Sequence, residues 1–303
     1  MATTTTVTTN YAGKAAGEII GQTFKEADTI AKGLVTVLPN VNDRISLRRI
    51  RYTDGTTAYT CGFAPAGAIV MDEKEVVPVK LKNDLEVCKE DFRKTWSEDL
   101  FGESAFNDNM AADIQEAILA QVLESTAQRT DDLIWNGDSA NAGEWDGFVK
   151  LFNADANVNK PAFPGAITAA TVLDALDTAT AAIPFALRRK DVKIIISPDV
   201  ADAYTKYLIE QGSANGLGGN ANTNLIYGRY TLEVVNGLED NTIIAYEVKN
   251  LVFATGLLAD HNEIRIQDMD EVLLDGNVRM RMVYNGGVGY YNSEDIVYLN
   301  ATV

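Results

Sequence analysis

The sequence predicts a mixed α+β chain: a compact α/β middle, with one long helix before it and long strands after it. Three observations predict this. Residues 107–135 hold one sustained helical pattern, with Asn107 or Asp108 able to cap its start and Asn136-Gly137 able to stop it. From 162 to 262, short helical and strand patterns alternate between turn signals. From Glu263 the chain reads EIRIQDMDEVLLDGNVRMRMVYNGGVGYYNSEDIVYL, strand-rich and alternating, with turns expected at Asp275-Gly276 and Asn285-Gly286.

The first elements are extended limbs. Behind a threonine-rich start, Ile20, Phe24, Ala27, Ala31 and Leu34 form the stripe of an amphipathic helix over 11–33, with Gly33 as its stop. Residues 41–85 read as two strands joined by a tip containing Gly62, Pro65 and Gly67. The outgoing arm carries Arg44, Arg48, Arg49 and Arg51, either a solvated strand face or a contact for acidic groups of a neighbouring subunit. On the return arm Val77, Val79 and Leu81 alternate with charged residues, and Pro78 confines that strand to an edge or to non-ladder positions. A lone hairpin is marginal in water and a single amphipathic helix needs a surface to lie on, so neighbours are expected to complete this chain.

Phe92, Trp96, Leu100 and Phe101 suggest a short helix over 91–102. The long helix follows, with a narrow apolar stripe at Ile114, Ile118, Val122 and Leu123. In the middle section, Thr171 and Asp174 suggest a capping box for a helix running to Pro184. Residues 192–196 form a short apolar strand broken only by Lys193, and Ser197-Pro198 then supplies an N-cap with proline at the first helical position. Val200, Tyr204, Tyr207 and Leu208 line that helix, and Gly212 ends it before a glycine- and asparagine-rich loop. Residues 230–235, 242–248 and 251–254 read as strands, with a turn at Asn236-Gly237.

Composition narrows the function. The 303 residues are 46% hydrophobic and 23% charged, ordinary for a globular protein, and no apolar run reaches the roughly 20 residues a membrane span needs. The opening MATTTTVTTNYAGK has no apolar signal core, so secretion is not expected, and Cys61 and Cys88 read as reduced thiols. A net charge of −17 speaks against gripping nucleic acid by its phosphates.

Catalytic constellations are missing from the pattern. His261 is the sole histidine and is taken as a polar loop residue, and the glycines at 216, 218 and 219 lack the Lys-Ser/Thr of a phosphate loop. The stretch starting at Asp138 has Ala140 and Ala142 at ligand positions and Val149 where a calcium loop needs glutamate. Asp131 and Asp132 are adjacent on a helix and point apart. No catalytic, cofactor-binding or metal-ligating residue is assigned, and no enzyme activity is expected.

Taken in order, these elements resemble the major capsid proteins of tailed double-stranded DNA bacteriophages, the Hong Kong 97-type capsid fold. The stretches that carry the likeness are NGDSANAGEWDGF after the long helix, the helix–strand–Ser-Pro–helix unit VLDALDTATAAIP…RRKDVKIIISPDVADAYTKYL, and the ending MRMVYNGGVGYYNSEDIVYL. The resemblance implies an N-terminal arm (1–43), an extended E-loop hairpin (44–85), and a peripheral domain (86–161 and 263–285). The peripheral domain would hold a long spine helix (about 107–136) and a long β-sheet. An α/β axial domain would take 162–262 and 286–303. It further implies a structural virion protein that self-assembles as pentamers and hexamers into an icosahedral head around double-stranded DNA, within the bacterial host cytoplasm. Partners would be a portal and a separate scaffolding protein (the segment before the E-loop being too short for a fused one), with a decoration protein optional and no membrane. Arg44, Arg48, Arg49, Arg51, Ile20 and Phe24 are the candidate inter-subunit contacts. Some relatives crosslink an E-loop lysine to an asparagine. Lys74, Lys80 and Lys82 stand in the right region, as do Asn277 and Asn285, but no catalytic carboxylate is assigned and no crosslink is predicted. The alternatives are an encapsulin-type nanocompartment shell, an acidic cytosolic α/β enzyme, and a phage tail or decoration protein.

Overall fold

The computed structural model describes residues 28–89, 112–212, 225–256, 264–269 and 276–301. In chain order these form α1 (Asp28–Ala31), β1 (Thr36–Leu38), β2 (Ile45–Thr53), β3 (Ala68–Val76), β4 (Val79–Cys88), α2 (Ala112–Asn136) and α3 (Phe148–Ala154). There follow α4 (Val172–Ala181), β5 (Val192–Ile196), α5 (Pro198–Glu210), β6 (Leu225–Tyr227), β7 (Tyr230–Val234), β8 (Thr242–Glu247) and β9 (Leu251–Thr255). The last strands are β10 (Ile264–Asp268), β11 (Asn277–Tyr290) and β12 (Val297–Asn300). The N-terminal helix before residue 28, the short helix over 91–102, the start of the long helix, the glycine-rich loop and His261 lie outside the described residues.

The chain divides into two compact units. The first takes the described residues within Lys80–Thr130 and Gly256–Asn285; the second takes those within Asp28–Val79, Asp131–Thr255 and Gly286–Val303. This grouping differs from the expected segmentation. Residues 131–161 fall in the same unit as the α/β middle, and so does the hairpin β2–β3.

The second unit is built on a five-stranded sheet of order β12-β8-β5-β7-β6. β5 runs parallel to β7 and antiparallel to β8, so the α5 crossover returns the chain beside its starting strand. One face packs under α4 and α5 through Ile194, Ile196, Ile243, Ala245, Val297 and Leu299. On the other face Tyr298 meets Phe152 of α3 at 5.8 Å, and the buried Tyr246 hydroxyl donates to the Leu34 carbonyl at 2.7 Å. A strand covered on both faces reads as a nearly continuous apolar run, which is why VKIII was recognisable; its one polar residue, Lys193, is half-buried and pairs with Glu233 at 3.4 Å. In the same unit β1 lies parallel to β9, and residues 286–290 of β11 lie antiparallel to it. Phe148, Phe152, Trp135 and Tyr290 form a chain of tilted and stacked rings at 5.3–5.7 Å.

The first unit holds a three-stranded sheet of order β4-β11-β10, with Ile264 to Asp268 paired against Met282 to Val278. Along β11 the burial alternates: Val278, Met280, Met282 and Tyr284 are inside, Arg279 and Arg281 outside. On α2 the expected apolar stripe is only half-buried at Ile118, Val122 and Leu123. Among the described residues of α2 up to 130, the buried side chains are Glu124, Thr126 and Thr130. Both threonines satisfy their hydroxyls on their own helix, Thr126 on Val122 and Thr130 on Thr126, each at 2.8 Å.

Four local expectations change and one holds. The return arm is two strands, because Pro78 ends β3 and β4 then pairs with β11 rather than β2. No side chain caps α4 at Thr171; the reciprocal bond sits one turn earlier, where the Thr168 N–H donates to the Thr171 hydroxyl at 3.0 Å. Ser197 holds the N-cap position before Pro198, but its hydroxyl binds Asp199 and the Thr242 backbone, tying the helix start to β8 instead of capping it. The expectation that holds is that Asp131 and Asp132 point apart, to Thr29 N–H and to Asn136 respectively. The turn expected at Asn285-Gly286 does not form: β11 runs straight through it for 14 residues.

The glycines there make room. A Cβ at Gly286 would lie 2.8 Å from the Trp145 ring, and one at Gly289 2.2 Å from Val76. Gly289→Ala is therefore expected to push Val76 outward and lower stability by about 1–2 kcal/mol, seen as a lower melting temperature; an unchanged melting curve would refute this.

Candidate functional site

The hairpin β2–β3 leaves a group of large apolar side chains exposed. Nine register pairs run from Ile45↔Val76 to Thr53↔Ala68, and alternation sorts its side chains onto two faces. One face looks to its own unit near the root. Leu47 and Val76 are buried there with Val41, Val252 and Ala254. Further out, Arg49 binds Asp72 at 2.8 Å and also Asn292, while Arg51 bridges Asp72 at 2.9 Å and Glu294 at 2.7 Å. The Arg49 guanidinium, aided by Arg51, holds the Asp72 carboxyl below the usual range.

A second clasp holds the returning strand. Lys74 Nζ lies 2.8 Å from Asp155 Oδ2 and 3.7 Å from the centre of the Tyr290 ring, and the Tyr290 hydroxyl donates to the same oxygen at 2.8 Å. Asp155 Oδ1 accepts the Asn157 N–H at 2.9 Å. Burial acts to raise the Asp155 pKa, but Lys74, the Asn157 N–H and Tyr290 together outweigh it, so the carboxyl titrates well below its ordinary value. Burial and the facing carboxylate push the Tyr290 hydroxyl up.

The opposite face carries Ser46, Arg48, Ile50 and Tyr52 on β2, against Glu75, Glu73, Met71 and Ile69 on β3. Its inner half is polar. Arg44 lies 3.7 Å from Glu75 and Arg48 lies 3.9 Å from Glu73, long and exposed pairs worth little to stability. Its outer half is apolar and bare: Ile50, Tyr52, Ile69 and Met71 are 66–74% exposed. At the tip, Phe63 is 96% exposed. Gly55 and Gly67 close the base of the tip, where a Cβ on Gly55 would sit 2.2 Å from the Gly67 nitrogen.

Of the residues singled out from sequence, Arg49 and Arg51 are spent on the same chain, Arg44 and Arg48 face solvent in loose pairs, and Ile20 and Phe24 lie outside the described residues. Sequence reasoning missed the Lys74–Asp155–Tyr290 clasp, whose members are 81 and 135 residues apart. It also missed the four bare apolar residues, although strict alternation of Ile50 and Tyr52 with arginine was the available signal.

The loop after α2 is closed by a lysine. Lys150 Nζ bonds Asp138 at 2.6 Å, Asp146 at 2.5 Å and Ser139 at 3.3 Å, and sits between the carboxylates where a bound cation would be. Lys150 lowers the Asp138 pKa below the usual range. In Lys150→Met the Asp138 pKa is expected to climb back toward an ordinary carboxylate value in an NMR titration; an unmoved titration would show that Lys150 is not its counter-ion. Among the described residues no group of three or more His, Cys, Asp and Glu is placed to hold a metal, and no helix is long and apolar enough to cross a membrane.

No protein-family model and no curated protein matches this chain in sequence. Solved structures do match in shape. The capsid of a native GTA particle, computed with C5 symmetry, aligns at a TM-score of 0.62 and 13% identity over 100% of this chain and 96% of its own. The capsid of Myoviridae phage XM1 aligns at 0.58 and 11% identity, over 91% and 92%. A chain of Mycobacterium phage Adephagia aligns at 0.63 and 8% identity, over 97% and 95%. The chain has the phage capsid fold. At these identities what the likeness shows is the fold alone.

Proposed function

We propose that this chain is the major capsid protein of a tailed double-stranded DNA phage, assembling as pentamers and hexamers into a closed icosahedral head. One observation carries it: a hairpin clasped to its own unit at the root presents four large apolar side chains to solvent on its outer half. Such a face on a two-stranded ribbon is an aggregation hazard unless a partner covers it, and the partner always available is the next copy of the same chain. A heterologous contact of this kind closes into rings when the rotation permits. The role is structural rather than catalytic. The fold's occurrence in the capsid of phage XM1 supports it. Arg44 and Arg48, the two hairpin arginines not committed to the body, are the ones left to meet a neighbour's carboxylates, and the N-terminal segment with Ile20 and Phe24 would add a second contact.

The surplus of carboxylates suits an inner wall that must not adhere to packaged DNA. A portal, a separate scaffolding protein and a decoration protein belong to the same proposal. The test is electron microscopy and sedimentation of the purified full-length chain. Closed megadalton particles are expected; a stable solitary subunit, with the hairpin's outer half protected from hydrogen exchange by its own chain, would overturn the proposal.

A further inference from the structure

The exposed face of the first unit's sheet carries charge in two rows. The register sets Arg265 opposite Arg281 and Gln267 opposite Arg279, and β4 adds Asp84 and Glu86 along the other side. Arg281 binds Asp84 through Nε at 2.6 Å and Nη2 at 3.2 Å, and Lys82 also reaches Asp84 at 2.7 Å. Together these hold the Asp84 carboxyl at about 2. Arg279 is used differently. Only its Nε is engaged, with Glu86 at 3.0 Å, where Asn277 also donates at 3.3 Å. Its two terminal nitrogens, and the amide of Gln267 beside them, have no partner among the described residues. They border an open groove of about 640 Å³.

We propose that this groove receives a carboxylate-bearing segment from a second copy of the chain. The unused guanidinium fork of Arg279 offers two parallel N–H donors, the geometry that matches a carboxylate. Gln267 adds a third donor alongside. A nucleic-acid backbone fits less well, because Asp84 and Glu86 on the same floor repel a run of phosphates while a single carboxylate can sit beyond them. The occupant follows from charge complementarity. With 43 acidic against 26 basic residues, any abutting copy presents carboxylates, whereas this groove gathers three of the chain's arginines. The choice of a second copy rests on the shell proposed above.

The test uses full-length protein made in normal and ¹⁵N-labelled form, mixed before assembly, with a photo-crosslinking residue placed at Gln267. Expected are crosslinked peptides that join a light copy to a heavy one, the partner peptide being acidic. Crosslinks confined to one copy, or crosslinks to nucleic acid, would overturn the inference. In parallel, Arg279→Glu should raise the protein concentration needed for half-assembly roughly tenfold at low salt, an interval that narrows as salt screens the contact. Unchanged assembly of a folded Arg279→Glu protein would also overturn it. Should that variant melt early, Arg279→Gln, which removes charge without adding a repulsion beside Glu86, is expected to weaken assembly in the same direction. The two proposals separate cleanly. Closed particles without light–heavy crosslinks sink the groove and leave the shell; light–heavy crosslinks in small open oligomers sustain the groove and sink the shell.

Discussion

A variant with serine at Ile50, Tyr52, Ile69 and Met71 is expected to fold as the parent does and to form no closed particles. All four side chains lie on one face of the hairpin and already meet water in the single subunit. Removing them therefore costs the isolated fold little, within about 0.5 kcal/mol per exposed site. In a shell the balance differs. Burying one such side chain fully is worth roughly 1.5–3 kcal/mol, so four of them account for most of what a modest subunit contact supplies after its ordering costs. Every subunit of a closed lattice repeats the contact, so the loss multiplies. The measurement is a melting curve for the subunit beside electron micrographs of the assembly reaction. Particles of parental size and yield would show that the apolar face is not the contact. An early melt would call for Met71→Ser alone, with a smaller loss of particles expected. Deleting 44–85 would be a poorer test, since residues 79–85 belong to β4 and its removal would open the first unit's sheet.

The parts of the fold that sequence made legible are those where one periodicity dominates. VKIII is apolar but for Lys193 because β5 is buried along the rest of its length, and Ser-Pro before Asp-Val announces α5 because proline fits the first helical turn. The long helix was visible from its length and from Asn136-Gly137 at its end. Failures came where one residue type serves two purposes. Asn285-Gly286 has turn chemistry, yet Gly286 and Gly289 are small because Trp145 and Val76 occupy the space a Cβ would take. Thr126 and Thr130 look like surface residues, yet they are buried because their hydroxyls are satisfied by the preceding turn. At the candidate site the arginine cluster on β2 was plain in the sequence. What divides it was not: Asn292 and Glu294, more than 240 residues away, claim Arg49 and Arg51 and leave Arg44 and Arg48 outward. Long-range partners of this kind leave no trace in local spacing.

Asp155→Ala is expected to release the hairpin's returning strand and to lower subunit stability by about 3 kcal/mol, because it strips three donors of a charged acceptor at once. Lys74, the Tyr290 hydroxyl and the Asn157 N–H all end on this carboxylate. Lys74 would lose its anion while still lying over the Tyr290 ring, and hydrogen exchange should quicken along β3 before it does along β5. The same carboxylate sets an acid dependence. Its pKa is lower folded than unfolded, so its contribution is fully present above the ordinary aspartate value of about 4 and is lost as pH falls below that toward the folded value. Asp155→Asn keeps the shape, accepts one hydrogen bond at its oxygen and cannot titrate. The plot of its stability against pH should be flatter than the parent's on the acid side, and the two should draw together as the parent's Asp155 protonates. If instead the two proteins lose stability in parallel below pH 4, other carboxylates govern acid unfolding and the clasp is not what fixes the hairpin. Should the clasp hold as described, the hairpin enters assembly with its root already ordered. The entropy left to lose on meeting a neighbour is then confined to the tip and the exposed side chains, which lets a small apolar face of four residues serve as the contact.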